Sequence, residues 1–329
     1  MLLLAATVIG VLRGEDMGEL QSALAQCRTD WIVCAAGCVA LFILSAAFGL
    51  WLMLRSREMG LSLWKCFLSA CVEFFFSAVT PSASGGQPMQ IYYLRKKGVP
   101  VSVSTVSLLT MTIAYKLTLV LTGLVLAVMA RGMLRQTLGG MMFLFWIGLA
   151  LFTAWTVFLL LVVFRPGLAR AILIWGMSVL EELHLLKNRR ERQTALEVAM
   201  DMYSDTADHL RTHPLLLLEV FGVSILRRGA LLSVTWCVYR SLGLSGVSWP
   251  MILLLQAVVS ICADMLPLPG GMGVTEGLFV KVFAGAFGTL AVPGMILSRG
   301  IGHYAQLILC GLFTMLALVF VNRSGRMEE

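Results

Sequence analysis

The sequence predicts an all-α polytopic membrane protein, with about six transmembrane helices and two re-entrant helical hairpins arranged as an inverted repeat. Three observations predict it: charge too sparse for a soluble domain, long apolar runs along most of the chain, and two Gly-Pro breaks inside those runs. Of 329 residues, 59% are hydrophobic and 13% charged, and the mean hydropathy is +0.88. A soluble domain carries roughly 25% charged residues. The deficit runs along almost the whole length, which excludes a soluble domain with a single anchor.

A bilayer crossing needs about 20 apolar residues, and runs at 31–54, 101–130, 139–164, 215–239 and 295–321 meet that length. The stretch 1–12 is apolar but short, without the basic start or small-residue cleavage site of a signal peptide. A truncated or mis-started first helix is expected there, with a shallow interfacial helix as the alternative. Eight cysteines lie scattered on apolar segments without a C-x-x-C pair. Cys34 and Cys38, one turn apart, are expected to pack rather than react.

Charge sets the topology. With the N-terminal end inside, fifteen of the 25 basic residues fall in cytoplasmic loops. Only Arg13, Arg28, Arg131, Arg135 and Arg240 fall outside, and five basic residues are intramembrane. This positive-inside pattern favours cytoplasmic termini. It also puts the basic clusters on both sides of 61–94 on the same face, so that segment must enter and return. Its centre, Thr80-Pro81-Ser82-Ala83-Ser84-Gly85-Gly86-Gln87-Pro88, cannot continue a helix. The segment 249–290, broken at Leu266-Pro267-Leu268-Pro269-Gly270-Gly271-Met272-Gly273, must likewise enter and leave from the outer face. Helix, helix, hairpin, helix is thus followed by the same elements inverted, an architecture typical of transporters. The expected division is 1–164 for the first repeat plus the first helix of the second, 165–214 for a cytoplasmic amphipathic linker, and 215–329 for the remainder. About fifty linker residues are too few for an enzyme domain of ordinary size.

Backbone breaks at membrane depth are tolerated only where protein or a wet cavity satisfies them. Pro88 is expected at the first position of a half-helix. Gly85, Gly86 and Gln87 before it would offer free N–H groups to an anion such as a lipid phosphate. Gly270, Gly271 and Gly273 lead into a first turn holding Glu276. The alternative is that both breaks are structural elbows. Intramembrane ionisable residues are the second signal: Glu73, Lys116, Arg227, Arg228, Asp264, Glu276, Lys281, Arg299 and His303. Each Arg or Lys at a helix centre costs about 2.5–3.5 kcal/mol on insertion scales. Glu73, Asp264 and Glu276 are the expected counter-charges. Arg227 and Arg228 point about 100° apart on a helix, so at most one is expected to face a shared cavity. Arg299 is expected at an interface and Lys116 in the interior.

No dinucleotide fingerprint, Walker motif or histidine metal pattern occurs in the sequence. No cofactor, metal or nucleic acid is expected.

The motifs Thr80-Pro81-x-x-x-Gly85-Gly86-Gln87-Pro88-x-Gln90 and Leu266-Pro267-x-Pro269-Gly270-Gly271-x-Gly273-x-x-Glu276 resemble the paired motifs of the lysylphosphatidylglycerol synthase transmembrane (flippase-like) family. Arg299 with Tyr304 resembles that family's last-helix pattern. The resemblance implies a bacterial inner-membrane protein handling aminoacylated phosphatidylglycerol, a lipid that protects against cationic peptides. Full-length relatives add a soluble domain that takes lysine from lysyl-tRNA, and no such domain is expected within these 329 residues. The expectation is therefore a translocator of an anionic or aminoacylated phospholipid. In that reading Gln87, Gln90 and a half-helix end hold the phosphate, Lys116, Arg227 or Arg228 adds charge, and Glu276 meets a cationic aminoacyl group. The alternatives are a phosphatidylglycerol lysyltransferase acting with a separate soluble domain, or a non-transporting partner of such a synthase. A homo-oligomer is also compatible with the sequence.

Overall fold

The computed structural model describes residues 25–80, 83–182, 189–264 and 273–325, and every regular element among them is helical. The expected first helix, at 1–12, lies outside the described residues. The first half comprises α1 (Thr29–Arg55), α2 (Leu63–Val79), α3 (Gly86–Lys96) and α4 (Val101–Met129). The short α5 (Arg131–Leu138) and a 3-10 turn lead into α6 (Met142–Phe164), followed by α7 (Pro166–Glu182) and α8 (Arg189–Thr212). The second half continues with α9 (Pro214–Ser241), α10 (Trp249–Ala263), α11 (Val274–Phe287), α12 (Ala291–Arg299) and α13 (Gln306–Gly325). A π turn, Gly300–Ala305, joins the last two.

Four helical stretches are long and apolar enough to cross a membrane: Thr29–Arg55, Val101–Met129, Arg131–Phe164 and Val274–Val319. α9 is as long, at 28 residues, but carries Arg227 and Arg228 midway. On α6, Trp146, Ile147, Leu151, Trp155 and Leu161 are all exposed. Water would not tolerate so continuous an apolar face, whereas lipid does. The chain is an all-α, multi-pass membrane protein.

The hairpins follow from length. α2 and α3 have 17 and 11 residues, and α10 and α11 have 15 and 14, each short of the roughly 20 needed to cross. α2 packs on α3, and α10 on α11, so each pair turns back on itself. At the first turn, the Thr80 hydroxyl donates to the Phe76 carbonyl at 2.6 Å and accepts from the Gly85 N–H at 2.9 Å. A Cβ on Gly86 would lie 1.9 Å from Ser77 Oγ and 2.6 Å from the Glu73 carbonyl oxygen. Only glycine lets α3 approach α2 this closely. α3 begins at Gly86, so Pro88 stands third in the helix rather than first.

The inversion is visible where the halves meet. The Arg28 N–H, before α1, donates to the Ser241 carbonyl at the end of α9 at 2.9 Å. Trp31 meets Trp236 edge-on at 5.0 Å, and at the other end Gly49 lies against Val223. α1 therefore runs antiparallel to its counterpart α9. Both carry the same spacing, Trp51-x-x-x-Arg55 and Trp236-x-x-x-Arg240. Further contacts match the inversion: α2 packs on α1 and α13, and α10 packs on α9 and α4 as well as on α6. A glycine permits each crossing, with Gly311 against Phe75 and Gly123 against Ile261.

Between the halves, α8 docks its apolar face on the bundle. Met200, Tyr203 and Leu210 are buried with Met53, Val106, Leu159 and Val220. The Tyr203 hydroxyl donates to the Val162 carbonyl at 2.9 Å, Ser102 donates to the Ala199 carbonyl at 2.7 Å, and Arg57 pairs with Asp205. Burial pushes the Tyr203 phenol up to about 12. The linker is thus an integral buttress of the bundle. α7 leaves Leu173, Ile174 and Trp175 exposed.

Candidate functional site

Two clusters of charge lie where the hairpins meet the long helices. At the first hairpin, Glu73 on α2 faces Arg227 on α9, with Oε2 and Nη2 3.6 Å apart. The guanidinium lies over the Phe42 ring at 4.6 Å and the Tyr115 ring at 4.7 Å. Glu73 and Arg227 line a cavity of about 30 Å³ with Gln87, Gln90, Met111 and Thr112. That volume holds about one or two waters. Gln87 Nε2 donates to Thr112 Oγ1 at 2.7 Å, tying the returning limb to α4. Gln90 is buried beside it.

At the second hairpin, Gly273 opens α11 with φ +88°, a left-handed conformation suited to glycine. Its N–H donates to Glu276 Oε2 at 2.6 Å, and Arg299 Nε donates to Glu276 Oε1 at 3.1 Å. Glu276 is 3% exposed, so this pair is a buried one. Arg299 ends α12 immediately before the π turn, a distortion common at functional positions. The turn carries His303 and Tyr304, and the Arg299 guanidinium lies 6.0 Å from the Tyr304 ring.

Arg228 connects the two clusters. It is 6% exposed, and its guanidinium lies 3.8 Å from the centre of the Tyr115 ring. Its Nη2 reaches the Tyr115 carbonyl at 3.5 Å, and its Nε has no hydrogen-bond partner among the described residues. Asp264, which caps α10, lies within electrostatic reach of Arg228, Lys116 and Arg299. Lys116 Nζ rests 5.0 Å from the Phe152 ring. Aromatic contacts run between the clusters, from Tyr115 to Phe42, Phe74, His303 and Tyr304, with centroids 5.3–6.4 Å apart.

Several sequence expectations change here. The Gly85 N–H is taken by Thr80 and Gly86 is pressed against α2, so these two glycines form an elbow rather than an anion cradle. Of the two adjacent arginines Arg227 lines the cavity and Arg228 does not, while both guanidiniums lie near the Tyr115 ring. Arg299 stands in a buried pair rather than at an interface. Glu276 accepts from the Gly273 N–H on one oxygen and from Arg299 on the other. Lys281 is exposed and donates to Met141 Sδ at 3.0 Å, away from both clusters. Pro81, Pro269, Gly270 and Gly271 lie outside the described residues. Sequence reasoning missed Tyr115, Phe42 and Thr112. Tyr115 alone carried a signal, its position beside Lys116 on an apolar helix.

Chemically, Glu73 and Glu276 neutralise Arg227 and Arg299. Arg228 and Lys116 share Asp264, which leaves one surplus positive charge among the described residues of the layer. Buried, under-satisfied guanidinium donors suit a phosphate oxygen.

Re-entrant hairpins, inverted halves and a buried charged layer define a polytopic membrane protein with paired charges between its halves. The family model described as lysylphosphatidylglycerol synthase TM region matches residues 1–310. The chain belongs to that family. No individual curated protein matches it.

Proposed function

We propose that this chain moves a phospholipid with a net negative headgroup between leaflets. The headgroup passes the charged layer between the hairpins while the acyl chains stay in lipid. The observation that carries this reading is Arg228: a guanidinium 6% exposed whose Nε, among the described residues, has no partner, in a layer whose described residues hold one cation in excess. Such a group is costly at membrane depth unless an anion completes it. A phosphodiester supplies one negative charge and oxygens that accept from Arg228 and Lys116.

Vesicles containing the protein and fluorescent phosphatidylglycerol, quenched from outside, test the reading. Lipid exchange is expected to exceed that of protein-free vesicles. Arg228→Ala should slow it by roughly 10–100-fold, the worth of one hydrogen bond to a charged group. Exchange no faster than in empty vesicles for phosphatidylglycerol, lysyl-phosphatidylglycerol and zwitterionic lipid alike would overturn it. The family description also favours a part in lysyl transfer with a separate soluble domain. Product made from lysyl-tRNA by membranes containing this chain only when a soluble synthase domain is added would put that reading first.

A further inference from the structure

Three thiols from two helices meet where α1 begins and α9 ends. Cys34 and Cys38 are one turn apart on α1 and share a face. Cys237 faces them from the antiparallel α9. Its sulfur lies 3.4 Å from that of Cys34 and 4.0 Å from that of Cys38. All three sulfurs lie within 4.8 Å of one another. A metal–thiolate bond of about 2.3 Å spaces three sulfurs in a trigonal plane about 4.0 Å apart. The sulfurs therefore stand close to that triangle already.

We propose that Cys34, Cys38 and Cys237 form a trigonal site for a soft monovalent d10 cation, copper(I). Thiolates select copper(I) over hard cations, and structural zinc sites take four ligands. Among the described residues no fourth donor joins the cluster: Asp30, one turn before Cys34 on α1, pairs with Arg28 at 2.7 Å, and the cluster contains no imidazole. Cys34 is exposed and gives the ion an entry, while Cys237 is buried and holds the site in the bundle. Trp236, next to Cys237, and Trp31, one turn before Cys34, meet edge-on at 5.0 Å and brace the two helices together. The Arg240 guanidinium, 5.4 Å from the Trp31 ring, supplies positive charge near the thiolates. Binding is redox-neutral: each ligating thiol releases its proton to water and copper stays monovalent. In the orientation favoured by the basic residues, this end of α1 lies on the outer side.

Full-length protein in detergent, kept reduced with ascorbate, tests the site by competition for copper(I) against bathocuproine disulfonate. One copper(I) per chain is expected, with X-ray absorption reporting three sulfurs at about 2.3 Å. Even an indirect partner of a metal ligand is worth roughly 10–100-fold in affinity, so C34S, C38S or C237S should each weaken binding by at least about 100-fold. C71S and C262S, placed elsewhere in the bundle, should leave it unchanged. Wild-type protein supplies a check independent of any variant's folding: copper(I) should protect Cys34 from alkylation. Unaltered binding after all three substitutions, or alkylation of Cys34 at the same rate with copper(I), would overturn the proposal.

Discussion

The first hairpin places its acid on the entering limb, where Glu73 meets Arg227 at 3.6 Å with side chains 26% and 15% exposed. The second places its acid on the returning limb, where Glu276 meets Arg299 at 3.1 Å with side chains 4% and 16% exposed. Glu276 has a second tie, to the Gly273 N–H, which fixes it to the start of its own helix. Glu73 instead borders a cavity shared with Gln87 and Thr112. The same charge pair thus serves two ends. On the proposed reading, the doubly bonded Glu276–Arg299 pair acts as a latch, and the looser Glu73–Arg227 pair beside the cavity acts as a gate that a headgroup displaces.

Breaking the latch should have the largest effect. Glu276→Gln strands the Arg299 charge in a buried setting, a change worth about 3–5 kcal/mol. Thermal unfolding in detergent is expected to show a loss of that order. Glu73→Gln breaks a longer pair whose Arg227 keeps the Phe42 and Tyr115 rings, and should lose less, about 1 kcal/mol. Equal losses from the two substitutions would remove the distinction between latch and gate.

The glycines sharpen the comparison by a second route. Gly86→Ala drives a methyl into Ser77 Oγ and the Glu73 carbonyl, and overpacking of that kind costs about 1–3 kcal/mol. Gly273→Ala meets no atom of the described residues within 4 Å and pays for its left-handed backbone, about 1–2 kcal/mol. The first elbow should therefore be the more sensitive to a methyl group, read from the yield and melting temperature of each variant.

The smallest effect belongs to the docked α8. Burial, with the His213 and Arg57 charges, holds the His209 imidazole below its ordinary range, while Asp205 pulls the other way. The folded form therefore binds its proton less readily than the unfolded chain does. Above the unfolded value, about 6.5, both states are neutral and nothing is lost. As pH falls below that value the unfolded state takes up the proton first, and docking weakens until the folded group also titrates. Hydrogen exchange in α8 should rise modestly on acidification, and His209→Gln should flatten that response.

Much of the architecture could be read from the chain. The two breaks, the basic clusters beside them and the hydrophobic lengths required hairpins and opposed halves, because lipid leaves few solutions for an apolar segment that cannot be one helix. The candidate charges were legible for the same reason, since an Arg or Glu at membrane depth is too costly to be incidental. Their pairing was not. Arg227 and Arg228 are adjacent, and only the antiparallel packing of α1 and α9 and the position of α4 send one toward Glu73 and the other toward Asp264. Tyr115 and Phe42 drew no notice because aromatic residues are ordinary in apolar helices; their role depends on which guanidinium lies over them.

The cysteines mark the same boundary. Spacing put Cys34 and Cys38 on one face, but nothing local places Cys237, about two hundred residues away, at 3.4 Å. Composition and punctuation determined the lipid-embedded helices, the two elbows and the residues that had to find partners, since these follow from local chemistry against a uniform apolar solvent. Tertiary structure alone decided which acid met which base, which pair stayed loose and which thiols converged. Those outcomes depend on how two inverted halves pack, and that geometry is set by contacts between segments far apart in the chain.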